Sequence, residues 1–246
     1  MSDWIVPDWP APAHVRALQT TRVGGESAGP YATFNLGSQV GDDARAVAAN
    51  RARLRAAAGL PAQPAWLDQV HDRRVVTLPA PPDERRADAA IARRHGEICA
   101  VLTADCLPVL LCADDASEVA VAHGGWRGLA AGVVEACVRS FQAPPARLLA
   151  WLGPAIGPRA FEVGPEVREA FADEDPACDE AFAPGAKPGK WLADLYALAR
   201  RRLAAAGVTR VYGGGLCTYS DPDRFFSYRR DGRCGRMASL IWLDER

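Results

Sequence analysis

Between residues 98 and 123 the chain reads ICAVLT, then LPVLLCA, then EVAVAH, three apolar runs separated by polar turns. Each is long enough for a buried strand and too short for a helix, so together they predict the centre of a sheet. The flanking sequence alternates element types. From Asp43, DARAVAANRARLRAAAGL has an acid at its start, strong helix formers inside and Gly59 at its end, the marks of a surface helix. AWLDQVH and RVVTL read as a pair of strands, and residues 79 to 96, with three prolines and many charges, as an irregular loop. Trp126, Leu129, Val133, Val134, Cys137 and Phe141 recur at helical spacing. RLLAWLGPAIG, VYGGG and RMASLIWL predict further strands, and PEVREAFAD and WLADLYALARRRLAAAG further helices. Strands and helices interleave without an evident linker, which predicts one domain of mixed α and β structure over residues 1–246.

Such a chain is large enough for a full core: 246 residues, 49% of them hydrophobic. Its 29 basic residues nearly cancel its 30 acidic ones, so no long-range field favours nucleic acid or an anionic membrane as a partner. No apolar run approaches the roughly 20 residues of a spanning helix. MSDWIVPDWP lacks the regions of a secretory signal, and the expected location is the cytoplasm. Seven scattered cysteines, with no CxxC pair, argue against both a disulfide framework and the common structural zinc modules.

Chemistry concentrates at three places. His71 in LDQVH and His123 in VAVAH end predicted strands, and Cys106 in LTADCLPVLL occupies a turn after another. Two imidazoles and a thiolate suit zinc, with three protein ligands leaving a fourth position for water or substrate. The same residues also fit two histidines satisfied at strand ends beside a small buried cysteine, or a Cys-His pair in which Cys106 attacks a carbonyl. Asp105 beside Cys106 would disfavour the thiolate unless a cation were present. The second place is HGGWRG, where a Gly124-Gly125 turn entering a helix, with Arg127, offers an anion seat for phosphate. Its plainer reading is a turn needing only special backbone angles, with Trp126 in the core and Arg127 in solvent. The third is FFSYRRDG, residues 225–232, which suits either gripping a nucleoside or phosphate through residues such as Tyr228 and Arg229, or an edge strand entering a hairpin. TTRVGGES and FNLGSQVGDD are polar loops to which composition assigns no role, and glycines 24 and 25 form no nucleotide-binding fingerprint.

QVH, TADCLPVLL, HGGWRG, WLGPAIGPRAFEVG, CTYSDPDRFFSYRRDG and GRMASLIWL together resemble the bacterial laccase-domain family. TTRVGGES, FNLGSQVGDD and NRARLRAAAGL extend the resemblance over nearly the whole chain. The resemblance implies an α+β fold of mixed β-sheets packed together and flanked by helices, similar to the catalytic domain of cytotoxic necrotizing factors. It implies zinc held by His71, Cys106 and His123, and purine nucleosides and phosphate as substrates. The implied reactions are phosphorolysis of adenosine, inosine, guanosine and methylthioadenosine, and deamination of adenosine. Some relatives are peptidoglycan editing factors, which makes an amidase using Cys106 on a cell-wall precursor an alternative. A binding module around a structural zinc, its fourth ligand a residue such as Cys217, is another. Gly124 where Ala is usual, and Asp72 where Gly often follows QVH, are departures that touch no ligand position. The older label of polyphenol oxidase sits poorly with four histidines and no His-x-His, since coupled copper centres need many imidazoles. A single copper displacing zinc in vitro would account for weak oxidase activity.

Overall fold

A computed structural model describes residues 3–245. The strands are β1 (Val15–Gln19), β2 (Ala65–Trp66), β3 (Val75–Thr77), β4 (Ala89–Ala92), β5 (Ile98–Thr103), β6 (Leu107–Ala113), β7 (Val119–Gly124), β8 (Leu148–Leu152), β9 (Glu162–Val163), β10 (Phe182–Pro184), β11 (Trp191–Ala193), β12 (Arg210–Gly213) and β13 (Met237–Leu243). The α-helices are α1 (Ala44–Ala57), α2 (Trp126–Ala130), α3 (Val133–Arg139), α4 (Pro165–Ala172), α5 (Leu195–Ala205) and α6 (Tyr228–Asp231).

All three apolar runs are strands, but they divide between two sheets. β5 belongs to a four-stranded sheet ordered β1-β13-β5-β2, and β6 and β7 to a six-stranded sheet ordered β12-β8-β6-β7-β4-β3. A small sheet, β10-β11-β9, stands apart from both. Side chains alternate across each strand, and the alternation shows why the runs lack polar positions. Leu110, Cys112, Val119 and Val121 face the core shared with Cys99, Val101 and Ile241 of the other sheet. Val109, Leu111, Ala120 and Ala122 face the opposite way, toward Leu129, Val134, Leu198 and Leu203 on the helices. The four-stranded sheet turns Ile98, Ala100 and Leu240 outward against Leu54 of α1. Both sheets are therefore covered on both faces, giving the α+β arrangement of packed mixed sheets flanked by helices.

Leu110 lies between the sheets with no exposed surface. Leu110→Ala is expected to cost about 3 kcal/mol, within the usual range for a buried leucine, as measured by urea unfolding. A loss under about 1 kcal/mol would mean that the sheets close over the vacated volume.

Several elements depart from the sequence reading. Residues 79 to 96 are not all loop, because β4 lies among their charges and prolines and pairs with both β3 and β7. AWLDQVH and RVVTL are not partners: β2 runs parallel to β5, and β3 parallel to β4, in different sheets. The helix expected from Trp126 onward is broken by Gly132, whose φ of 86° separates α2 from α3. FFSYRRDG forms no edge strand; Ser227 accepts the Arg230 N–H and caps the short α6. WLADLYALARRRLAAAG starts as β11, and Asp194 then caps α5 by accepting the N–H groups of Tyr196 and Ala197.

Candidate metal centre and its cavity

The β5–β6 connection is three residues long and carries the chain from one sheet to the other. So short a crossing needs an unusual backbone, and Asp105 supplies it at φ 90°. Its carboxylate accepts from Thr218 Oγ1 at 2.6 Å and from the Arg229 N–H at 2.7 Å, tying the crossing to the segment that carries α6. Cys106 follows at the end of the crossing. His123 is the penultimate residue of β7, with its ring buried. His71 lies beyond the end of β2, in a loop rather than on a strand, and is exposed at φ 62°.

Two side chains hold that loop. Gln69 Oε1 accepts the Leu102 N–H at 2.7 Å and its Nε2 donates to the Leu102 carbonyl at 2.9 Å, so the amide stands in for one more residue of a strand beside β5. Asp88, fully buried immediately before β4, accepts the N–H groups of Val70, His71 and Asp72 at 2.9 to 3.0 Å. The same carboxylate accepts from His123 Nδ1 at 2.8 Å. That bond puts the proton on Nδ1 and leaves Nε2 as the free donor atom. Burial alone would raise the Asp88 carboxyl, but the bonds from His123 and from the Asp72 and Val70 backbone hold it below its ordinary range.

The donor atoms of His71, Cys106 and His123 all lie within 4.8 Å of one another, with His71 Nε2 3.9 Å from Cys106 Sγ. Around one ion, bonds of roughly 2.0–2.3 Å place tetrahedral donors about 3.3–3.8 Å apart. The set fits a single metal ion with slight contraction. Burial would raise the Cys106 thiol, yet the charge and hydrogen bonds of His123, with those of His71, pull it below its ordinary value. Burial would lower His123, and Cys106 together with Asp88 raises it. The groups that shift the thiol are the two histidines rather than Asp105, whose carboxylate binds Thr218 Oγ1 and the Arg229 N–H. Gly125 borders the donors: a Cβ there would stand 3.0 Å from His71 Cδ2 and 3.1 Å from Cys106 Sγ. This turn needs space rather than special backbone angles.

Among the described residues no other His, Cys, Asp or Glu joins the three. Cys217 is occupied elsewhere, its sulfur accepting from the Gly157 N–H at 3.2 Å and Ser220 Oγ at 3.3 Å. The three donors open onto a cavity of about 730 Å³, a size suited to a small-molecule ligand. Arg127, Tyr228 and Arg229, the other residues singled out from the sequence, all line it. The Arg127 guanidinium stacks on Trp126 at 4.4 Å, and Trp126 is half-buried in the cavity wall rather than sealed in the core. With α2 only five residues long, the charge offered to an anion there comes from Arg127 more than from a helix dipole. Arg229 donates to the Glu162 carbonyl at 2.6 Å and lies over the Phe161 ring.

Sequence reasoning missed Asp88 and Gln69. A lone acid inside the apolar ADAAIA was a usable signal, since a buried carboxylate must find partners. Gln69 carried none.

The two-sheet sandwich and its motifs match a known family. The chain belongs to the family described as multi-copper polyphenol oxidoreductase laccase, whose model matches residues 16–244, and the resemblance read from its motifs is confirmed. It is 56% identical, over all 246 residues and 100% of both chains, to a Pseudomonas aeruginosa protein named purine nucleoside phosphorylase. It is 54% identical to Escherichia coli YfiH, which bears the same name, over 99% of this chain and 100% of that one. A crystal structure of a Neisseria meningitidis protein superposes with a TM-score of 0.92 at 49% identity, covering 99% of this chain and 100% of that one. The family's copper description meets a donor set for one ion, since only two of the four histidines converge.

Proposed function

We propose that the protein is a zinc-dependent purine nucleoside phosphorylase that also deaminates adenosine. The observation that carries this reading is the three-donor set with an open side facing a cavity lined by aromatic rings and Arg127. The names of its relatives point to the same chemistry. His71, Cys106 and His123 would hold the metal, and the mixture of imidazole and thiolate suits zinc, with copper as a tighter-binding substitute in vitro. Zinc bound by three protein groups supplies a Lewis acid that brings water into its titrating range near pH 7.

The chain's own residues do the rest. Asp88 orients His123 and holds the His71 loop, so that both imidazoles meet Cys106 with only a slight contraction. Trp126 and Phe161 offer faces for a purine. Arg127, with no carboxylate partner among the described residues, offers its fork to phosphate, and Tyr228 and Arg229 stand on the cavity wall as nucleoside contacts. In phosphorolysis a phosphate oxygen bonds to the anomeric carbon as the carbon–nitrogen bond breaks, and the electron pair leaves with the purine. In deamination water adds at the purine carbon that releases ammonia. Inosine, guanosine and methylthioadenosine share the bond that phosphorolysis cleaves and are expected substrates.

The test is chromatography of products from zinc-loaded protein with adenosine and phosphate. Adenine with ribose 1-phosphate is expected, together with inosine from deamination. Protein that holds one equivalent of zinc and yields none of these would overturn the reading.

A further inference from the structure

Five arginines line the cavity, Arg51, Arg85, Arg127, Arg229 and Arg236, against the carboxylates of Asp68 and Asp105. Among the described residues none of the five makes an ion pair. Elsewhere, Arg93 pairs with Glu118, Arg202 with Glu135 and Glu174, and Arg210 with Asp114, while half-buried Arg22 is held by the Ala32 and Pro222 carbonyls. In a chain of net charge −1 this is a local concentration of uncompensated positive charge.

Arg51 and Arg236 grip one loop from two sides, the FNLGSQVGDD segment. The Leu36 carbonyl accepts from Arg51 Nε at 3.0 Å and Nη2 at 2.8 Å, while the Leu36 N–H donates to the Arg236 carbonyl at 3.1 Å. Asn35 Oδ1 accepts the N–H groups of Gly37 and Arg236. The Arg236 side chain runs so close to Gly37 that a Cβ there would stand 2.8 Å from its Cγ. The Arg51 guanidinium is half-buried and stacks on Trp66 at 4.4 Å, and Arg236 Nη1 donates to the carbonyls of Cys234 and Gly235. Arg51 Nη1, and Nε and Nη2 of Arg236, have no acceptor among the described residues. Backbone carbonyls thus fix both guanidiniums without neutralising them. A half-buried charge held in this way is stabilised by an anion from outside, and two planar forks suit phosphate oxygens.

We propose that Arg51 and Arg236, with the Asn35–Gln39 loop between them, form a subsite for a phosphoryl group carried on the purine ligand. The cavity then takes nucleoside phosphates, while Arg127 serves the inorganic phosphate at the metal end. The purine part rests on the proposed function; the phosphoryl part rests on the two arginines.

The test is calorimetric titration of the full chain, zinc-loaded and metal-free, at low ionic strength with adenosine, adenosine 5′-monophosphate and inorganic phosphate. The monophosphate is expected to bind at least about tenfold tighter than adenosine, the effect of one charge-assisted hydrogen bond. That ratio should fall to near one in Arg51→Gln/Arg236→Gln. Since Arg51 also braces Leu36, Arg51→Lys and Arg236→Lys, which keep the charge, are compared with it by thermal unfolding; they should retain several-fold preference. Equal affinities in the parent protein, or a preference that survives the double glutamine variant, would overturn the proposal. So would arginine-dependent binding of inorganic phosphate with no preference for the monophosphate, which would assign the pair to the free ion. Arginine-dependent monophosphate binding in a protein that converts no nucleoside would sustain the subsite and sink the phosphorylase reading. Phosphorolysis without the preference would do the reverse.

Discussion

Cys106→Ala is expected to lose its metal and, with it, nucleoside turnover. Structural zinc sites are worth roughly 10–16 kcal/mol, or about 2.5–4 kcal/mol for each of four ligands, so deleting the thiolate should weaken binding by about 10²–10³-fold. Metal content after dialysis against a competing chelator, measured beside the phosphorolysis rate, tests both losses together. Stoichiometric zinc with parental turnover in the variant would remove Cys106 from the site. Stripping the parent protein of metal separates the two chemistries open to this residue. A thiol that acts as a nucleophile keeps its activity without metal, whereas a thiolate that serves as a ligand loses it and regains it when zinc is restored.

The second large effect falls on a residue outside the three-donor set. Asp88 accepts three successive backbone N–H groups and the His123 ring from a fully buried position. Asp88→Asn keeps the size but brings an NH₂ group against N–H donors. Metal affinity should fall about 10–100-fold, as when an outer partner of a ligating histidine is lost. Stability should fall by about 3 kcal/mol, because bonds to a buried charge are lost and donors are left unpaired. Urea unfolding and zinc competition on the same preparation measure the two. Parental stability in this variant would mean that the His71 loop holds its shape without the carboxylate.

The contrast between Cys106 and Asp88 shows what could be read from the chain alone. His71 and His123 were legible because the chain has only four histidines, and Cys106 because it sits in a turn between apolar runs. Asp88 was hidden because prolines and charges around ADAAIA mask a four-residue strand, and because its partners come from a loop and a strand distant in sequence. The covered strands were legible from continuous apolarity. Their division between two sheets was not, since the hydrophobic pattern of β5 resembles that of β6 and only pairing separates them. Arg51 and Arg236 carried no local signal at all; their roles arise when α1 and the approach to β13 meet across one loop.

The short β5–β6 crossing has a mechanical consequence. His123 belongs to the six-stranded sheet, Cys106 to the link between the sheets, and the His71 loop is pinned by Gln69 to the four-stranded one. An ion shared by these donors would act as a rivet through the sandwich, fastening two layers already joined by the shared apolar core, the β5–β6 link and the bonds of Asp88 to the His71 loop. The tighter the rivet, the more the interior of the sandwich, and not merely the cavity rim, would be stabilised by the metal concentration around it.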